Sequence, residues 1–176
     1  MVLLFQFKLL ISGQLADCWD DYSIEGRSPR LEDSAAKTFK KPINRIGTSQ
    51  ADVLPDVLPN YIIATLSNGN VSMLLETSKN GGLPWDHIIS AELFLHHKPD
   101  AEVYRGAVDM LGYKPEEVMM VAAHTGDLQA AQACGLKTGF VARPLENGAG
   151  GGVDRGDGRP FDVVASDFVD LAAKLF

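Results

Sequence analysis

The sequence predicts a parallel α/β protein, and three observations carry that prediction. From residue 61 onward, apolar runs rich in β-branched residues alternate with helical patterns that stop at glycine; this is the order of a parallel sheet covered by helices. One run, VMMVAA (118–123), is apolar without alternation, as expected of a strand buried on both faces. The chain's 176 residues, 45% hydrophobic and 22% charged, suffice for one domain with a substantial core and are too few for two full-sized ones.

The opening MVLLFQFKLLIS sets Leu3, Phe5, Phe7, Leu9 and Ile11 at every second position, which predicts a strand with one fully buried face; a helix is the alternative. No positively charged region leads it, Gln6 and Lys8 interrupt it, and it is too short to span a membrane, so a secretory signal fits less well. The stretch SIEGRSPRLEDSAAKTFKKPINRIGTSQADVLPDVLP then mixes charges, prolines and glycines with little periodicity. It predicts loop or loosely held chain around one short helix near Leu31 to Phe39. Residues 1–60 are therefore read as a divergent N-terminal segment and 61–176 as the α/β core.

In the core, YIIATL (61–66) predicts a strand. A helix over 70–80 follows, with Val71, Leu74 and Leu75 on one face and Gly81-Gly82 as its stop. HIIS (87–90) is a short strand, and Pro99-Asp100 open a helix carrying Val103, Ala107, Val108 and Leu111 up to Gly112. After VMMVAA comes a helix with Leu128, Ala131 and Cys134 that stops at Gly135. TGFVA (138–142) and FDVVA (161–165) add strands, and DFVDLAAKLF closes the chain as a helix. NGAGGGVDRGDGRP (147–160) does not join a strand end to a helix start, so it reads as a surface loop rather than a phosphate cradle.

Bulk properties exclude several functions. A net charge of −7 with no Lys/Arg-rich block disfavours nucleic-acid binding, and nothing points to a membrane partner. Cys18 and Cys134 lie far apart and fit no metal-ligand spacing, which suits a reducing cytoplasmic compartment. His87, His96, His97 and His124 form no zinc pattern, and the adjacent His96-His97 read as a solvated pair. The sequence leaves a homodimer open.

In open parallel sheets, ligands bind beyond the carboxyl ends of the strands, and three groups of residues fall there. Ser67-Asn68-Gly69 offers a hydroxyl, an amide and a turn; an Asx-turn or helix N-cap explains it equally well. Lys98 precedes a proline, and a solvated lysine is its ordinary reading. Asp127 ends VAAHTGD, where a first-turn carboxylate that complements the helix dipole is the alternative.

Taken in order, these stretches resemble the haloacid dehalogenase superfamily, nearest to its type II 2-haloacid dehalogenases. The resemblance rests on LSNGN, HHKPDAEVYRGAVDMLG, PEEVMMVAAHTGDLQAAQACGLKTGFVARP and FDVVASDFVDLA. It implies a Rossmann-like α/β core with a helical cap, and hydrolysis of the carbon–halogen bond of a short 2-haloalkanoic acid through an aspartyl ester, without metal or other cofactor. On that template Ser67 and Asn68 would bond the substrate carboxylate, and Lys98 would balance the nucleophile's charge. Asp127 would position the hydrolytic water or hold the lysine, Tyr104 would line the site, and His124 stands where related sequences carry asparagine or histidine. Two alternatives remain: a phosphatase of the same superfamily with Mg²⁺ held partly by Asp127, or a non-catalytic remnant binding a small anion or a partner.

The front of the chain departs from the family. Its nucleophile motif, a strand running into Asp-x-x-Gly-Thr, is not found; LLFQFKLLISG sets Gln6 or Lys8 in that place, and Asp17, Asp20 and Asp21 follow no strand–turn pattern. The nucleophile is therefore unassigned and the cap is read as reduced. A weak or inactive site is expected.

Overall fold

The computed structural model describes residues 1–5, 61–144, 154, 156 and 159–175. Among these, six strands form one sheet: β1 (Val2–Phe5), β2 (Ile62–Ser67), β3 (His87–Ser90), β4 (Val118–Ala122), β5 (Lys137–Val141) and β6 (Val163–Ala165). The order is β3-β2-β1-β4-β5-β6, and every pairing is parallel. The helices are α1 (Val71–Gly81), α2 (Ala101–Leu111), α3 (Thr125–Ala133) and α4 (Phe168–Leu175). This is the parallel α/β sheet that the alternating sequence predicted, in the Rossmann-like form that the resemblance implied.

The core has two halves, one on each face of the sheet. Val103, Tyr104 and Ala107 of α2 and Leu128 of α3 pack on the face formed by Leu4, Leu66 and Met120. Leu74 of α1 and Leu171 of α4 pack on the face formed by Leu3, Ile63 and Val121. Each helix thus buries an apolar stripe against the sheet, which is why the periodicity of the sequence located it.

The short strand β1 holds the centre. It pairs with β2 on one side and β4 on the other, with Phe5 opposite both Thr65 and Val121. The expected single buried face is corrected here: Val2, Leu3, Leu4 and Phe5 are all buried, Leu4 toward one half of the core and Leu3 toward the other. A central strand of a parallel sheet is covered on both sides, so its alternation carries no information about solvent. The chain passes from β1 to β2 on one side and from β3 to β4 across it. The carboxyl ends of β1, β2 and β4 therefore flank the reversal of strand order, where open sheets leave a crevice.

Two single turns of 3-10 helix, Ala91–Phe94 and Pro115–Glu117, are too short to show a period in sequence. Cys134 falls just beyond the last residue of α3, as its cap. The expected helix near Leu31 to Phe39, the reduced cap, Cys18 and most of the glycine-rich stretch lie outside the described residues. Among the described residues, no helix is long and apolar enough to cross a membrane.

Leu4 has no exposed surface. Leu4→Ala is expected to cost about 2–5 kcal/mol, read from the urea midpoint. The same change at Leu95, 86% exposed, should stay within about 0.5 kcal/mol.

Candidate functional site

The crevice is built from the three loops that follow β2, β3 and β4. Ser67 is the last residue of β2, and its Oγ accepts a hydrogen bond from Gly69 N at 3.1 Å. Ser90, at the end of β3, donates from Oγ to Gly69 O at 2.6 Å, which ties the two loops together. The N-cap of α1 is neither Ser67 nor Asn68 but Asn70, whose Oδ1 accepts from Met73 N at 2.8 Å. Glu92 accepts from Val71 N at 3.0 Å, so the positive end of α1 is already balanced by a carboxylate.

Asn68 is committed to the backbone of Lys98. Its Oδ1 accepts from Lys98 N at 2.7 Å and its Nδ2 donates to Lys98 O at 3.2 Å. This two-point clasp holds the loop of the cis Lys98-Pro99 bond over the end of β2. Asn68 therefore fixes the backbone of Lys98.

Lys98 is not solvated. Its side chain and that of Asp127 are each 6% exposed, with Nζ to Oδ2 at 2.8 Å. Nζ also donates to Leu66 O at 2.9 Å. The other oxygen of Asp127, Oδ1, accepts a short hydrogen bond from the Tyr104 hydroxyl, and Tyr104 is itself fully buried. Burial pushes the Lys98 ammonium below the ordinary lysine range, against the opposing attraction of Asp127. Burial and then the Asp127 charge push the Tyr104 phenol far upward, so Tyr104 stays protonated and serves as a donor.

Asp127 does sit in the first turn of α3, as the helix-dipole alternative supposed. Its carboxylate nevertheless reaches back across the crevice to Lys98 and Tyr104. Each of its oxygens accepts one of these bonds, and among the described residues no group of three His, Cys, Asp or Glu side chains comes together to hold a metal. His124 is the N-cap residue of α3, in extended conformation. Among the described residues no aspartate stands at the end of β1, whose last residue is Phe5; Gln6, Lys8, Asp17, Asp20 and Asp21 lie outside them.

Asp154, within the glycine-rich stretch, was not singled out from the sequence. Its Oδ2 accepts from Thr125 N, the first residue of α3, at 2.7 Å, and its Oδ1 accepts from Gly156 N at 3.2 Å. Burial alone would raise this carboxyl. The bonds from Thr125 and Gly156, with the charge of His124, outweigh burial and hold it below the usual carboxylate value. Only its place in a loop of low-complexity sequence hid it.

Comparison with known proteins gives a consistent result. Residues 58–141 match the haloacid dehalogenase-like hydrolase family. The (S)-2-haloacid dehalogenase 4A of Burkholderia cepacia is 40% identical over 47% of this chain and 37% of its own. The pyrophosphatase PpaX of Bacillus cereus is 33% identical over 50% of this chain and 40% of its own. The crystal structure of the L-2-haloacid dehalogenase PA0810 superposes with a TM-score of 0.69 at 46% identity, covering 71% of this chain and 55% of that one. In each case this chain spans less than two thirds of the relative's length.

Breaking a buried ion pair strands the remaining charge. Asp127→Asn should destabilise the fold by about 3–5 kcal/mol near neutral pH, in urea titrations. Because the folded pKa of Lys98 lies below its unfolded value, the unfolded chain binds more protons between the two, and stability rises with pH there. Loss of Asp127 removes an interaction that raises this pKa, so the rise should begin at lower pH in the variant than in the parent.

Proposed function

Because the chain belongs to the haloacid dehalogenase superfamily, we propose that its crevice is a 2-haloacid dehalogenase-type site for short 2-haloalkanoic acids, which in this chain turns over very weakly or not at all. The observation that carries this reading is the position of the Lys98 ammonium, bonded to Leu66 O and Asp127. Leu66 follows Thr65, the register partner of Phe5. The cation therefore lies beside the point where the chain leaves β1, the place of an attacking carboxylate in such a reaction.

In the full reaction a carboxylate oxygen attacks C2 of the acid and halide departs with the bonding electrons. Water then attacks the carbonyl of the resulting ester, releasing the 2-hydroxy acid and a proton and regenerating the carboxylate. Lys98 would stabilise the charge of that carboxylate with its remaining N–H. Asp127 and Tyr104 would fix the ammonium, Asn68 would fix the loop that carries it, and Ser67 and His124 would border the substrate. Gln6 follows Phe5 in the sequence, and an amide in place of the carboxylate forms no such ester. Without a covalent nucleophile only residual catalysis remains, a loss of several orders of magnitude.

A metal-independent reading is supported by the ammonium of Lys98, which places a positive charge against Asp127. The pyrophosphatase relatives favour the second reading, a Mg²⁺-dependent phosphatase, in which Asp127 would be one ligand; among the described residues no group of three His, Cys, Asp or Glu side chains stands ready to complete such a site. The widely spaced Cys18 and Cys134 support a cytoplasmic setting.

Halide release from 2-chloropropionate is the test. The expected rate is several orders of magnitude below that usual of an enzyme, with no phosphate released from a generic phosphomonoester and Mg²⁺. Ordinary enzymatic halide release that is abolished by Lys98→Ala would overturn the weak-turnover part and bring Asp17, Asp20 or Asp21 into the crevice. Mg²⁺-dependent phosphate release would overturn the dehalogenase-type reading itself.

A further inference from the structure

Asp154 takes no part in the reading above, yet its carboxylate is held firmly. It bridges Thr125 N and Gly156 N, and its turn is fastened to the domain further along. Gly156 is buried at a φ of +63°, and a Cβ there would meet Phe140 Cδ1 at 3.0 Å, so only glycine fits without displacing the ring. Phe161 stacks on Phe140 with ring centroids 6.1 Å apart, and Gln132 of α3 donates to Pro160 O at 3.2 Å.

Thr125 opens α3. The first N–H groups of a helix lack intrahelical partners and carry the positive end of its dipole, which makes them a common seat for a phosphoryl oxygen. Here the chain's own carboxylate sits on the first of them. Two residues on, Asp127 turns a second carboxylate toward Lys98. The charge of Asp127 is met by Lys98, so an incoming anion at this end of the crevice meets the charge of Asp154 and one donor fewer.

We propose that Asp154 is a specificity-determining residue: a built-in anion at the start of α3 that turns away phosphate-like dianions and leaves the crevice to singly charged carboxylates. A phosphate monoester carries about twice the charge of a carboxylate and three strong acceptor oxygens. It suffers about twice the Coulomb repulsion from Asp154 and has more need of the donor that Asp154 occupies. The inference rests on the carboxylate reading of the site given above.

The experiment titrates the full chain, Asp154→Asn and Asp154→Ala with inorganic phosphate and with 2-chloropropionate. Binding is followed through the amide resonances of Ser67 and Thr125, and the fold is checked by circular dichroism. Phosphate should bind about tenfold more tightly in the variants, with Thr125 reporting it, a shift worth about 1.4 kcal/mol. The 2-chloropropionate affinity should change by less than about threefold. Asp154→Asn keeps the size and an acceptor oxygen, so it decides the matter if the alanine variant does not fold. Unchanged phosphate affinity in a folded Asp154→Asn protein overturns the inference, as does an equal weakening for both ligands, which would mark Asp154 as merely structural. If the parent chain ignores 2-chloropropionate while Asp154→Asn still gains phosphate, the carboxylate reading fails and the exclusion of dianions by Asp154 stands.

Discussion

The buried ion pair between Lys98 and Asp127 is the interaction on which the crevice depends. Two charges taken out of water at 2.8 Å have an energetic case only if each keeps further partners. Both do. Leu66 O takes a second N–H of Lys98, and the Tyr104 hydroxyl satisfies the second oxygen of Asp127. β2, α2 with the loop that precedes it, and α3, three segments distant in sequence, are thereby tied at one point. The same contacts fix the groups that face the crevice: the ammonium is held by Leu66 O and Asp127, and each oxygen of Asp127 accepts one hydrogen bond.

The sheet explains why these groups meet. β2, β1 and β4 run parallel, so their carboxyl ends fall on one edge and the following loops share one crevice. β1 contributes four residues buried on both faces and no chemistry of its own among the described residues. Its role is to hold β2 and β4 apart at the right spacing.

The positive ends of α1 and α3 face this crevice, and each carries a carboxylate from elsewhere in the chain, Glu92 on Val71 N and Asp154 on Thr125 N. Helix N-termini are favourable places for negative charge. Filling them internally stabilises the helices and leaves less positive potential for a ligand. The selectivity of the site thus depends as much on what the protein has already placed there as on the groups it leaves exposed.

The sequence by itself determined the order of the strands and α-helices from residue 61 onward, because apolar runs rich in β-branched residues alternate there with helical patterns that stop at glycine. It also set Ser67, Lys98 and Asp127 at or near the carboxyl ends of strands, where a ligand crevice in a parallel sheet has a known address. Only the tertiary structure decided what each of them does. Asn68 reads in sequence as a ligand for substrate or a helix cap, and in space it clasps the Lys98 backbone. Tyr104 is expected from the resemblance to line the site, and in space its hydroxyl reaches Asp127. Asp154 carries no signal at all, because a glycine-rich loop has no period to read and its partner Thr125 is distant in the chain. Periodicity records which way a side chain faces relative to its own element. Hydrogen bonds and charge pairs between elements are settled only when the chain is folded, and those are the interactions that make this site.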